Sequence, residues 1–243
     1  MVVPLVQLAQ DISRIVISII IVVGVLSNTL NILILTRPAL YHHACSRYFL
    51  ALAISNLFYC GVILVHRLLA DQYRIDPATI SNDLCKFIVY VNHVGIFLAP
   101  NFIVLAAIDR WCVSSTSAHL PKFSSVKTAR WMILFTIILF ALIFSNSAIA
   151  VDLRYTDPFG CSIRADTLYK QVYVFIPACM TSLIPPCLMA SFGLLTIYNV
   201  QKTRIALAAS SRRSTPLYVP ISSVVHHSIF LVCHFGSSIS KKN

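Results

Sequence analysis

The chain has 243 residues, of which 58% are hydrophobic and only 11% carry a charge, whereas a soluble domain carries about a quarter charged residues. A soluble core of this length could not bury so much apolar surface, so the composition indicates lipid as the solvent and excludes an ordinary soluble enzyme. The net charge of +11 would suit nucleic acid, but the positions of the charges argue against that partner.

Five apolar stretches each reach the roughly 20 residues that a helix needs to cross a bilayer. The first is too long in its apolar part for the roughly 7–15 residues of a signal core, so we expect a first membrane helix. That helix should end before Arg37, because Pro38 disfavours helix in the residue before it. The sequence predicts an all-α membrane protein, a transmembrane helix bundle with five clear spans at about 15–36, 48–70, 87–108, 131–151 and 172–200.

The charges on the connections between the spans indicate an orientation. One set of connections is basic apart from Asp109, whereas acidic and basic residues balance on the other set. The positive-inside rule places the basic set in the cytoplasm and the N-terminus outside. We therefore expect a multi-pass plasma-membrane protein that contacts the lipid bilayer and no nucleic acid. The basic residues of the inner set are Arg37, Arg47, Arg110, Lys122, Lys127, Arg130, Lys202, Arg204, Arg212 and Arg213.

The third span lies between a cysteine and an acid–base pair. Cys85 and Arg110 are 25 residues apart, about 37 Å of helix at 1.5 Å per residue, so they mark opposite membrane faces. Cys161 also falls on the outer, oxidising side, and we favour a Cys85–Cys161 disulfide over two free thiols. At the inner face, Asp109-Arg110-Trp111 is a candidate functional site. An arginine that merely extends to the lipid headgroups is an equally good interpretation.

Amide side chains recur within the spans, where water is absent. Asn28 and Asn56 are expected to form hydrogen bonds between helices, worth roughly 0.6–2 kcal/mol each. Asn92 and His93 lie about two turns inside Cys85, where they either contact a ligand or satisfy packing. The sequence has no catalytic motif and no Cys/His spacing typical of a metal site, so we expect no enzyme, no metal and no cofactor.

Taken in chain order, these features resemble the rhodopsin-like (class A) G-protein-coupled receptors. The family's first-helix Gly-Asn signature is matched by Gly24-Val25-Leu26-Ser27-Asn28, and its second-helix Leu-Ala-x-Ala-Asp-Leu by Leu52-Ala53-Ile54-Ser55-Asn56-Leu57. Its Asp-Arg-Tyr resembles Asp109-Arg110-Trp111, and the cysteine pair and its distance from Arg110 also fit. The resemblance covers about residues 15–200.

The resemblance implies seven helices that bind a ligand from outside and activate a heterotrimeric G protein inside. Arg110 would be the latch that faces the G protein, with Asp109 as its partner and Trp111 completing the switch. Asn92 is not an aspartate, so we expect a peptide or small-molecule ligand rather than an amine. The third-helix residues implied to face the ligand cavity are Asn92, His93, Ile96 and Phe97.

The chain departs from the family pattern in its second helix and at its end. Asn56 stands where the family has an acid, and neither the sixth-helix Cys-Trp-x-Pro nor the seventh-helix Asn-Pro-x-x-Tyr is found. We expect 1–213 to be a partial seven-helix bundle, truncated after the fifth helix, and 214–243 a divergent tail or a weak sixth helix.

Two other functions remain as alternatives at this point. One is a truncated, non-signalling partner that retains the front half of the receptor fold. The other is a small channel or transporter, which the lack of matching halves and of acids deep within the spans disfavours.

Overall fold

The computed structural model describes residues 2–73, 75–117, 119–146, 151–153, 161–163, 175, 179 and 181–213. Within these residues the fold is an all-α membrane helix bundle with one short β-hairpin. Four of the described helices are long and apolar enough to cross a membrane, and each overlaps one of the first four predicted spans. The fourth was predicted to end at 151, but its helix ends at Ile143 and Val151 lies in a β-strand. We call them the first to fourth spans: Gln10–Leu35, Ala44–Ala70, Asn82–Ser114 and Val126–Ile143.

The predicted fifth span, 172–200, is described only in part and remains a prediction. A helix runs over Ile184–Arg213, called the Ile184 helix below, and packs against the third span. Pro185 and Pro186 lie in its first turn, where a missing backbone N–H leaves no intrahelical bond unmade. The tail or weak sixth helix predicted at 214–243 lies outside the described residues.

The first helix, Val2–Leu35, ends before Arg37 as predicted. A single turn, Pro38–Tyr41, then leads to the second span. That span is α-helical except for one wider π-helical turn in its middle, and such turns are rare insertions in α-helices. Its three segments are Ala44–Phe58, the π-helical Tyr59–Leu64, and Val65–Tyr73.

The third and fourth helices begin at serine caps. Ser81 precedes the third helix, Asn82–Ser114, and its Oγ accepts the Leu84 backbone N–H at 3.2 Å. Ser125 precedes the fourth helix, Val126–Ile143, and its Oγ accepts the Thr128 backbone N–H at 3.1 Å. Each cap satisfies a first-turn donor and contributes about 1 kcal/mol.

The buried residues form clusters where the third span meets its neighbours. Near the Arg110 end of the third span, which the sequence predicts to be the inner end, small residues let the second, third and fourth spans approach closely, as is usual between membrane helices. Midway, phenylalanines fill the gap between the third and fourth spans. At the far end, a cluster joins the third span to the β-hairpin. The inner cluster consists of Ala44, Cys45, Tyr48, Ala106 and Ala129.

Gly24 is the point of close approach between the first and second spans. A Cβ atom at Gly24 would lie 2.6 Å from Cys60 Sγ and 3.3 Å from Cys60 Cβ. Cys60 belongs to the π-helical turn, and its short side chain has one rotatable bond with which to yield. By contrast, a Cβ atom at Gly61 would meet nothing within 4 Å. A larger residue at position 24 would therefore have to displace the Cys60 side chain.

We expect Gly24→Ala to lower the thermal stability of the detergent-purified chain. The methyl group overpacks the contact with Cys60, at a cost of about 1–3 kcal/mol. Gly61→Ala is the matched control and should leave the midpoint of thermal unfolding nearly unchanged. Adding Cys60→Ala to Gly24→Ala should restore part of the loss, and equal midpoints for the two glycine variants would contradict this account.

Candidate functional site

One end of the third span is joined by a disulfide to the β-hairpin. Cys85 Sγ lies 1.98 Å from Cys161 Sγ, and their Cα atoms are 5.7 Å apart. Cys85 is fully buried and packs with Val151, which lies in the strand that pairs with the Cys161 strand. The strands Val151–Leu153 and Cys161–Ile163 pair antiparallel, with Leu153 opposite Cys161. The pair predicted from topology is thus present, and it holds the hairpin against the start of the third helix.

Asp76 organises the neighbouring connection between the second and third spans. Its Oδ1 lies 3.1 Å from His66 Nε2 and also accepts the Ala78 backbone N–H at 2.9 Å. Ala78 in turn is buried against the disulfide cluster. This connection therefore links the end of the second span to the disulfide.

The residues expected to face a ligand cavity are divided between two environments. Phe97 is only 2% exposed, and its ring centroid lies 4.5 Å from that of Phe144 and 5.7 Å from that of Phe140. His93 faces the same side: its ring lies 5.9 Å from Phe144, and its Nδ1 lies 2.6 Å from the Val89 carbonyl oxygen. Phe97 is therefore a core residue against the fourth span rather than a residue open to the outside.

The helical repeat explains this placement. Tyr90, His93 and Phe97 recur at intervals of three and four residues, so they share one face of the third helix. Tyr90 Oη donates to the Ala141 carbonyl at 3.1 Å, which fixes that face toward the fourth span. Phe140 and Phe144 are four residues apart, the same interval as His93 and Phe97. This matching interval was the sequence signal for the contact.

Asn92 and Ile96 complete the predicted set. Asn92 is half-buried, and its Oδ1 has no hydrogen-bond partner among the described residues. Ile96 packs beside the phenylalanine cluster and is also half-buried. Asn92 thus presents a desolvated acceptor in this part of the third span.

The predicted interhelical amides line a shared cavity. Asn28, Asn31 and Asn56 lie around a space of about 210 Å³ between the first and second spans. Asn28 Nδ2 donates to the Gly24 carbonyl of its own helix at 2.7 Å. This bond of Asn28 is therefore intrahelical, whereas the prediction placed its bond between helices.

At the other end of the third span, Asp109 and Arg110 bond to different elements. Asp109 is 7% exposed, and its Oδ1 accepts the Ser124 hydroxyl at 2.7 Å. Arg110 Nε donates to Cys45 Sγ at 2.8 Å, at the start of the second span. The sequence predicted Asp109 as the partner of Arg110. Neither the Ser124 hydroxyl nor the Cys45 thiol was predicted as a partner of this pair.

Trp111 connects the same end to a third element. Its ring centroid lies 5.6 Å from that of Phe192 in the Ile184 helix. About one turn further along the third helix, Ser114 Oγ lies 3.4 Å from Asn199 Nδ2 of the Ile184 helix. Consecutive residues on a helix point about 100° apart, so the triplet Asp109-Arg110-Trp111 necessarily faces three directions. We call this triplet with Ser124, Cys45 and Phe192 the inner hub, after the side of the membrane that the sequence predicts for it.

No protein-family model matches the chain. The chain is similar to the Neuropeptide F receptor of Drosophila melanogaster, with 25% identity over 203 residues. The matched region is 79% of this chain and 42% of that receptor, so the chain spans about two fifths of the relative's length. This weak, partial similarity to a G-protein-coupled receptor supports a family of that kind for the chain. The relative is a receptor and not an enzyme, in keeping with the absence of a catalytic motif from the sequence.

We expect Cys85→Ser to destabilise the chain strongly. The disulfide closes a separation of 76 residues, and the loop-entropy model gives about 4–5 kcal/mol for such a bridge, with less in a bilayer that already restrains the helices. Thermal unfolding of the purified chain under oxidising conditions measures the loss. Cys161→Ser should behave alike, and Cys187→Ser, which removes an exposed free thiol, should not. Equal midpoints for Cys85→Ser and Cys187→Ser would refute the structural role of the bridge.

Proposed function

We propose that the chain is a plasma-membrane receptor of the rhodopsin-like class that senses an extracellular ligand and activates a heterotrimeric G protein. The observation that carries the proposal is the third span, which has a disulfide-anchored hairpin at one end and the inner hub at the other. Similarity to a receptor named for a neuropeptide favours a peptide over a small molecule as the ligand.

Two independent features support an extracellular N-terminus. The connections next to Arg110 carry the basic excess that marks cytoplasmic loops. The disulfide lies at the opposite end of the third span, and disulfides persist in oxidising compartments. Both features support a hairpin outside the cell and an inner hub inside it.

Asn92 is the residue that we propose for ligand contact. Its buried Oδ1 lacks a partner among the described residues, and a desolvated acceptor without a donor is costly. A donor on the ligand would satisfy it. Phe97 is enclosed by the fourth span, so it would shape the floor of such a site from behind rather than touch the ligand.

The mechanism is a shift between two arrangements of the inner hub. In the structure, Cys45 holds Arg110, Ser124 holds Asp109, and Phe192 packs on Trp111. A ligand can favour another arrangement only by binding it more tightly. We propose that the favoured arrangement frees the Arg110 guanidinium from the second span, so that it faces the G protein.

The function is tested by nucleotide exchange on a purified G protein mixed with the full chain in lipid nanodiscs. We expect the chain to accelerate exchange over empty nanodiscs, and synthetic neuropeptide F to accelerate it further. Arg110→Ala should reduce the rate roughly 10- to 150-fold, because charge-assisted hydrogen bonds are worth about 1.5–3 kcal/mol.

Lys202→Ala is the matched control, since it removes an exposed cation from the Ile184 helix and should change the exchange rate little. A chain that leaves the G protein's exchange rate unaltered, or an Arg110→Ala variant as active as the parent, would contradict the proposal.

The orientation is tested with epitope tags in intact cells. A tag before Met1 should bind antibody without permeabilisation. A tag inserted at Ser117, which is exposed in the connection between the third and fourth spans, should bind only after permeabilisation. The reverse pattern would show that the basic connections face outward, and the orientation would have to be abandoned.

A further inference from the structure

The π-helical turn of the second span is seated between two neighbouring helices. It covers Tyr59–Leu64 and packs against both the first and the third helix. Its first two residues, Tyr59 and Cys60, each lie against a glycine of a different neighbour. Turns of this kind are rare and lie frequently at functional sites, so the contacts that hold this one bear on its role.

Each of the two glycines makes a notch for one side chain of the turn. In the first span, a Cβ atom at Gly24 would lie 2.6 Å from Cys60 Sγ. In the third span, a Cβ atom at Gly95 would lie 3.1 Å from Cδ2 of the Tyr59 ring. Gly95 is buried, whereas Tyr59 and Cys60 are half-buried. The turn is thus held on two sides by close contacts that a methyl group would disturb.

The two contacts are linked through the backbone of the turn. Consecutive residues of a helix project about 100° apart, which lets Tyr59 reach the third span while Cys60 reaches the first. Because the two residues share one peptide unit, a backbone change that withdraws Tyr59 from its notch also moves Cys60. The two notches are therefore not independent of each other.

The remaining side of the turn is open. A Cβ atom at Gly61 would meet nothing within 4 Å, and Val62 is 50% exposed. Beyond the turn, His66 lies 3.1 Å from Asp76 in the connection to the third span. A change in the turn therefore meets no steric barrier at Gly61, and it alters how the end of the second span meets that connection.

We propose that the π-helical turn is a conformational relay with two states. Tyr59 and Cys60 are both seated in their glycine notches in one state and both withdrawn in the other. Membrane helices accommodate local π adjustments that keep their backbone groups bonded. A displacement of the third span at Gly95 is then passed to the first span at Gly24. Such a relay requires an element whose equilibrium both neighbours bias, and the shared turn is that element.

The relay lies close to the residue proposed for ligand contact. Asn92, Gly95 and Ile96 are three and four residues apart, so they share one face of the third helix. A ligand that contacts Asn92 therefore acts less than one helical turn from the notch that holds Tyr59. This consequence rests on the proposed receptor function, whereas the relay itself does not.

The test measures how fast N-ethylmaleimide labels Cys60 in the detergent-purified full chain, with labelled peptides quantified by mass spectrometry. Gly95→Ala should push Tyr59 out of its notch and thereby accelerate labelling of Cys60 about fivefold, as expected when overpacking shifts a two-state equilibrium. Gly24→Ala displaces Cys60 directly and is the positive control. Gly193→Ala is the matched negative control, because a Cβ atom there would meet nothing within 4 Å.

Cys112 is the internal reference in every variant. It is a buried free thiol of the third helix, so its labelling becomes faster only when the bundle opens as a whole. Faster labelling of Cys60 with an unchanged rate at Cys112 in Gly95→Ala supports the relay. An unchanged rate at Cys60, or equal acceleration of both thiols, would overturn it.

A second variant shows whether the effect passes through the Tyr59 ring. Adding Tyr59→Leu to Gly95→Ala relieves the overpacking and should return the Cys60 rate toward that of the parent, and a rate that stays fast would also overturn the relay. If Gly95→Ala does not fold, Tyr59→Trp overpacks the same notch from the other side and decides in its place. These measurements involve neither ligand nor G protein, so their failure is distinct from failure of the receptor function.

Discussion

Hydrocarbon supplies no hydrogen-bond partners, and this constraint shapes every polar residue of the spans. Within the helices, many polar side chains bond to a carbonyl one turn back. Asn28 bonds to Gly24, His93 lies within hydrogen-bond distance of the Val89 carbonyl, and Thr136 donates to Met132. Such bonds satisfy the side chain but connect no two helices. The connections between helices are therefore made by close packing and by contacts near the helix ends.

The third span makes most of these connections. At the Cys85 end the disulfide attaches the hairpin, and midway the aromatic face packs on the fourth span. At the Arg110 end the hub reaches three elements. The helix between them is one continuous element of 33 residues. A displacement at either end can therefore be carried along one helix, in which Pro100 removes one intrahelical hydrogen bond, and this continuity is the physical basis of the proposed receptor mechanism.

Two arginines of the connections predicted to face the cytoplasm have different surroundings. Arg110 bonds to the second span and lies beside an acid. Arg47 lies at the start of the second span with its Cζ over the Tyr41 ring, and the preceding connection, 36–43, contains no acid. The first arrangement suits a group that changes partners, whereas the second holds the guanidinium against one aromatic ring. The positive-inside rule describes both as topology signals, but their neighbours distinguish their chemistry.

Sequence patterns were sufficient for the existence of the first four spans and for the end of the first helix before Arg37, although the fourth helix ends well before the predicted position 151. Length, hydropathy and proline are local properties, so they can be evaluated without knowing the neighbours. Asn28 and Phe97 were less predictable: whether an amide bonds within its helix, or a phenylalanine faces a cavity, depends on helix rotation. The rotation of the third span is set by Tyr90 and the phenylalanines of the fourth.

By itself the sequence determined which stretches lie in lipid, which connections are basic, and that one helix separates Cys85 from Arg110. Only the tertiary structure decided what holds that arginine. Cys45 lies 65 residues away and Ser124 lies 15 residues from Asp109, and no local pattern links such positions. They meet because small residues let three helices approach at the inner end, and close packing of this kind is a property of the assembled bundle.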